Sequence, residues 1–208
     1  MVKFIFMLGR PGCGKSYLFK NVFTPVLEEK GYEVERVDDF PILKKLLSED
    51  KEFKRHVRKE GGFEVTDWSI VDEVLKEMDK VLKDKEEEGK VILVEFARDN
   101  YKKAISNFSD YVREKTLLLY IWAPFELCLE RNKSRFERGK DIDDHIVPTD
   151  LMFSYYKTDD LEKVFLENRN SLPDEFYGWK IRFFNNEDSE LPTEKKREIF
   201  KSLIEGVL

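Results

Sequence analysis

Gly9-Arg10-Pro11-Gly12-Cys13-Gly14-Lys15-Ser16 is the stretch that decides how this chain folds. It follows Val2 to Leu8, an apolar run broken only by Lys3. It precedes residues 15–30, where Leu18, Phe19, Val22, Phe23, Val26 and Leu27 recur at three- and four-residue spacings. The unbroken run reads as a strand covered on both faces, and the periodic one as an amphipathic helix. In that strand-to-helix setting Gly9, Gly14, Lys15 and Ser16 match G-x-x-x-x-G-K-[ST]. Glycines let backbone N–H groups wrap a phosphate, and the helix N-terminus adds partial positive charge. Lys15 is expected to supply a full charge to the β- and γ-phosphates, and Ser16 a hydroxyl to magnesium. The expected nucleotide contacts are thus Gly9, Pro11, Gly12, Cys13, Gly14, Lys15, Ser16 and Tyr17, with Ser16 the metal ligand.

Outward from that stretch, strand and helix signals alternate. Gly31 stops the first helix, and Tyr32 to Val37 reads as a strand ending in Asp38-Asp39. Phe40 to Gly62 reads as a short helix and then a polar, basic stretch whose Gly61-Gly62 pair marks a loop. Trp68 to Glu88 carries a helical apolar pattern. Val91 to Val94 and Thr116 to Trp122 are further apolar strands. Pro124 opens a helix to about Arg138, residues 139–147 form a polar loop, and Pro148 starts another helix. Lys180 to Phe184 and Thr193 to Val207 read as the last strand and helix. This order predicts an α/β three-layer sandwich on a mainly parallel five-stranded sheet. The expected organisation is one domain over residues 1–208.

Composition narrows the function classes. With 37 Lys and Arg against 43 Asp and Glu, the net charge is −6, so no domain-wide basic field exists to hold duplex nucleic acid. Cys13 and Cys128 form no spaced set for a disulfide framework or a zinc site. Met1 to Leu8 is only a strand's length without a charged leader, and no apolar run approaches a membrane span. A cytoplasmic protein with no membrane partner is expected.

Arg131, Arg135 and Arg138 are spaced four and three residues apart, so at about 100° per residue they share one helical stripe. Clustered guanidiniums suit polyphosphate, although Glu130 and Glu137 nearby also allow a solvated, ion-paired helix. In open parallel sheets ligands lie at the carboxyl ends of strands, where Asp38, Asp39 and Glu95 fall. Arg98 comes three residues after Glu95.

With its phosphate-binding stretch, acidic second strand end and arginine-bearing segment, the chain resembles P-loop kinases of the small-molecule and polynucleotide type. His145-Ile146-Val147-Pro148-Thr149-Asp150-Leu151-Met152 looks like the element after the lid in polynucleotide-kinase-like and zeta-toxin-like members. The resemblance spans most of the chain, and its specific part is the phosphate-binding stretch. It implies ATP and Mg2+ as ligands and transfer of the γ-phosphoryl group to a small-molecule, nucleotide or polynucleotide acceptor. It also implies an acceptor-side insertion around 40–66 and a lid around 131–147, with Lys15, Asp38, Glu95 and Arg135 as catalytic residues, Arg131 on the nucleotide, and Asp38, Asp39 and Arg98 on the acceptor.

Alternatives accompany several of these assignments. Asp38 is favoured over Asp39 as base because Asp39 also suits a helix cap before Phe40-Pro41. Glu95 and Arg98 also suit a structural bridge, His145 an ordinary surface residue, and Lys51 to Lys59 a solvated helix face. A GTP switch is disfavoured: Asn132-Lys133-Ser134-Arg135 has arginine where Asn-Lys-x-Asp needs aspartate. The remaining alternative is an NTP-binding ATPase or regulator without a phosphoryl acceptor.

Overall fold

A computed structural model describes residues 2–59, 62–138 and 147–208. The first strand, β1 (Phe4–Leu8), lies wholly buried at the middle of the sheet. The phosphate-binding stretch leads from it into α1 (Lys15–Leu18), a π-helical turn over Phe19–Phe23, and α2 (Thr24–Glu29). One helix over residues 15–30, with Pro25 a kink point near its end, was expected here. The wider turn keeps Val22 and Phe23 buried, so the apolar pattern alone does not reveal it.

After β2 (Glu33–Asp38) come α3 (Asp39–Glu49) and a separate antiparallel hairpin, β3 (His56–Lys59) with β4 (Gly62–Val65). The basic run thus forms a loop and a strand, not the helix face that its charge pattern suggested. Next follow α4 (Ile70–Lys85), β5 (Lys90–Glu95), α5 (Tyr101–Ile105), α6 (Asp110–Glu114), β6 (Thr116–Trp122) and α7 (Phe125–Arg138). Then come α8 (Thr149–Ser154), α9 (Asp160–Glu167), β7 (Glu175–Phe176), β8 (Trp179–Asn185) and α10 (Thr193–Ile204). The lid expected around 131–147 is described only through Arg138 and at Val147, and His145 lies outside the described residues.

The main sheet runs β2-β5-β1-β6-β8-β7. Its five longer strands are parallel, as expected; the two-residue β7, which pairs antiparallel with β8, is a sixth that the sequence reading missed. Successive residues of β1 face opposite cores, as strand alternation requires. Phe4, Phe6 and Leu8 meet Leu75, Met78 and Leu82 of α4 and Tyr101 and Ile105 of α5. Ile5 and Met7 meet Leu18, Val22 and Phe23, together with Cys128 of α7 and Phe200 and Ile204 of α10. Helices therefore cover both faces. The loops after β1, β2, β5 and β6 all leave from the same, C-terminal edge, and functional side chains gather there.

Candidate active site

The loop between β1 and α1 is shaped by close backbone approach. A Cβ on Gly12, whose φ is +85°, would collide with the Cys128 carbonyl oxygen on α7. A Cβ on Gly14, with φ +101°, would collide with Asn186 Nδ2. Only glycine satisfies both the left-handed backbone and the missing space. Pro11 is half-buried and Cys13 fully buried in the turn, where Cys13 N donates to Arg10 O at 3.2 Å. Gly9 N donates to Tyr101 Oη at 2.8 Å, which fixes the loop's entry to α5.

Lys15 is only 6% exposed, and its Nζ donates to Gly9 O (2.7 Å) and Arg10 O (3.2 Å). The same ammonium lies 4.0 Å from Glu95 Oε1 at the end of β5. Ser16 opens α1 half-buried, and its hydroxyl has no hydrogen-bond partner among the described residues. Tyr17 is exposed and its Oη pairs with Thr193 Oγ1, at the start of α10, at 2.6 Å. A cradle with no room for side chains, a buried ammonium and an unengaged hydroxyl fit a magnesium-bound triphosphate.

On the other side of Lys15 the carboxylates form ion pairs. Arg36 Nη2 bonds Glu95 Oε2 (2.7 Å) and Asp38 Oδ2 (3.1 Å). Asp38 Oδ1 accepts from Phe40 N at 2.8 Å and caps α3. The cap belongs to Asp38, then, and not to Asp39 as the sequence suggested: the β-region backbone at Asp38 puts its side chain level with the helix's free N–H groups. Asp39 instead pairs with Arg98 Nη1 at 2.7 Å. Glu95 and Arg98 therefore bond to different partners and form no bridge with each other. Burial raises the pKa of Asp39 against the opposing pull of Arg98, and that of Glu95 against Lys15 and Arg36.

Arg131 is anchored: both Nη atoms reach Asn186 O at 3.2 Å, and Nη2 reaches Ser189 Oγ at 2.7 Å. Arg135 and Arg138 lie on the last turns of α7, and their side chains are outside what the structure describes.

Three residues packed around this loop escaped the sequence reading. Arg10, at an unspecified position of the motif, is buried; it pairs with Glu162 and donates to Lys157 O at 2.9 Å. Asn186 and Lys196 meet the phosphate-binding loop from the far end of the chain, and no local pattern marks them. Trp68, 46% exposed, stacks on Tyr155 at 5.3 Å beside the Asp39–Arg98 pair, whose charges reach Tyr156.

No protein-family model matches the chain, and no curated protein does. Solved structures do. Kti12 from Chaetomium thermophilum, in complex with ADP-AlF3, is 13% identical with a TM-score of 0.60, over 97% of this chain and 98% of that one. The Mycobacterium tuberculosis APS kinase CysC, in complex with AMPPNP and APS, is 12% identical with a TM-score of 0.57, over 99% and 98%. A sugar kinase from Janibacter sp. is 14% identical with a TM-score of 0.52, over 99% and 95%. At such identities the likeness speaks for architecture alone, and it agrees with the sheet order and the loop after β1: this chain has a P-loop kinase-like fold.

Proposed function

We propose that the protein is an ATP- and magnesium-dependent phosphotransferase that moves the γ-phosphoryl group to a hydroxyl or phosphate acceptor. The observation that carries this reading is the meeting of Lys15 Nζ, inside the cradle, with Glu95 at 4.0 Å and the Asp38–Asp39 pair beyond it. Donors for a polyphosphate thus stand next to carboxylates suited to an attacking hydroxyl.

In this reading the backbone of Gly9 to Ser16 holds the β-phosphate, and Lys15 leaves its carbonyl partners for the β- and γ-oxygens. Ser16 would hold magnesium directly and Glu95 through water; the ion would supply charge neutralisation on the phosphates. Asp38 has both oxygens engaged, one in the cap and one by Arg36, so Asp39 is the better base. Desolvation favours proton uptake at Asp39, which a base needs, and Arg98 orients it or binds an acceptor phosphate. Arg135, on the lid side, would meet charge developing in transfer. Two buried free thiols accord with a reducing, cytoplasmic setting. Among the described residues no helix is long and apolar enough to cross a membrane.

A second reading, an ATPase or regulator without an acceptor, draws support from the 2.7 Å hold of Arg98 on Asp39, which leaves no carboxylate of the pair unengaged. Incubation with γ-labelled ATP, magnesium and a panel of small hydroxyl and phosphate acceptors separates the two. Label in an acceptor supports transfer. Label in inorganic phosphate alone, across the panel, supports the second reading.

A further inference from the structure

Asn186, the residue after β8, is buried at the junction of four parts of the molecule. Its N donates to Trp122 O at the end of β6 (2.8 Å), and its O receives Arg131 of α7. Its side chain bridges two more: Nδ2 donates to Cys13 O in the phosphate-binding loop (2.8 Å), and Oδ1 accepts from Lys196 Nζ of α10 (2.9 Å). Lys196 is itself only 4% exposed.

The orientation of this amide is chemically determined. An ammonium carries donors and no acceptor, so Oδ1 must face Lys196, and the NH2 group is thereby turned to the Cys13 carbonyl. The Cys13–Gly14 peptide is planar and trans, so its C=O and N–H point to opposite sides. Holding the oxygen toward Asn186 therefore sends Gly14 N–H to the side that faces away from it. Asn186 approaches so closely that a Cβ on Gly14 would strike Nδ2.

We propose that Asn186 and Lys196 are positioning residues for the phosphate cradle: Lys196 fixes the amide of Asn186, and Asn186 aims Gly14 N–H at the β-phosphate of bound ATP. The inference rests on the ATP-binding reading above and adds to it a pair more than 170 residues away in sequence. Arg131 grips the backbone of the same residue, so the loop and the arginine-bearing helix share one anchor.

The test follows the Gly14 amide by 1H–15N NMR while Mg-ATP is titrated, with affinity measured by calorimetry. Wild type should show a large Gly14 shift on binding. In Asn186→Asp the carboxylate still packs and pairs with Lys196 but has no proton to offer Cys13 O. That variant should bind about tenfold more weakly, the scale of one buried hydrogen bond lost and one carbonyl left facing an anion, with a diminished Gly14 shift. A purely structural role predicts the reverse, since the Lys196 pair becomes charge-assisted. Lys196→Met frees the amide to turn and should act in the same direction more weakly; it decides the matter if Asn186→Asp does not fold. Wild-type affinity and an unchanged Gly14 shift in the folded variants overturn the positioning role alone. A wild-type protein that binds no Mg-ATP overturns the phosphotransferase reading and this one with it.

Discussion

Gly14 and Asp39 flank Lys15, and they are kept in place by different means. Around Gly14 the main chain is wedged between Asn186 and α7, with contacts that leave no space for a side chain. Asp39 is held by a guanidinium, and its neighbour Asp38 by a cap and a second guanidinium. In the proposed reading, then, the phosphate side is held by packed backbone, whereas the acceptor side is a set of charge pairs. A backbone cradle suits a ligand part that never varies, the polyphosphate. Charge pairs can be re-partnered when an acceptor arrives, which suits the side of the site where related folds differ in substrate.

The difference is first tested beneath the cradle. Asp159, buried next to Arg10 and Glu162 and bonded by Tyr120 Oη at 3.0 Å, has a pKa raised by burial from 3.8 to about 7. The folded state therefore binds a proton more tightly than the unfolded chain between those values. Stability should fall as pH rises from about 4 to about 7 and level off above, by at most about 4 kcal/mol at 1.36 kcal/mol per unit. Asp159→Asn keeps an acceptor for Glu162 N and Tyr120, so its urea-denaturation stability should lose this slope. Parallel pH profiles for wild type and variant would show that the support under Arg10 does not titrate.

On the acceptor side, Asp39→Asn should lower phosphoryl transfer about 10²-fold or more while leaving ATP affinity intact. Asp38→Asn should do neither, because asparagine still caps α3. Single-turnover transfer and ATP calorimetry on the two variants check this. Equal losses in both, or none, would remove the division of labour between the two aspartates.

Lys15→Ala should weaken ATP binding by about 10- to 150-fold, the worth of a charge-assisted contact of roughly 1.5–3 kcal/mol, with the fold retained. Unchanged affinity in a folded variant would end the cradle reading.

The same contrast explains what the sequence reveals. Gly9 to Ser16 is legible because the chemistry lies in local backbone geometry, which glycine spacing encodes. The central strands β1, β5 and β6 are legible because they are buried on both faces, and their apolar runs say so. The hairpin is not: His56-Val57-Arg58-Lys59 offers one apolar residue to a strand pattern, and its fold depends on a side chain outside the run. The choice of Asp38 as cap follows from its extended backbone, which adjacent identical residues do not betray. Asn186 and Lys196 act through tertiary contact alone, so no spacing predicts them.

That hairpin supplies the smallest effect expected at the cradle. Asp50, at the end of α3, accepts from Lys54 N (3.1 Å), Arg55 N (2.8 Å) and His56 Nδ1 (2.9 Å). Burial pushes its carboxyl up, but the Arg55 N–H, His56 and the Lys54 N–H outweigh that and hold it below the ordinary value. A two-stranded hairpin is marginal by itself, so removing this clasp should open it locally before the rest of the molecule. Asp50→Ala is expected to speed proteolysis between residues 51 and 66 markedly. Its ATP affinity should change by less than about twofold, since the hairpin's loss leaves the packed backbone around Gly14 untouched. Limited proteolysis beside ATP calorimetry reads both numbers on one sample. If affinity falls together with protection, the acceptor side and the cradle form one cooperative unit, and charge pairs such as Lys15–Glu95 carry more of the cradle's shape than its glycines do.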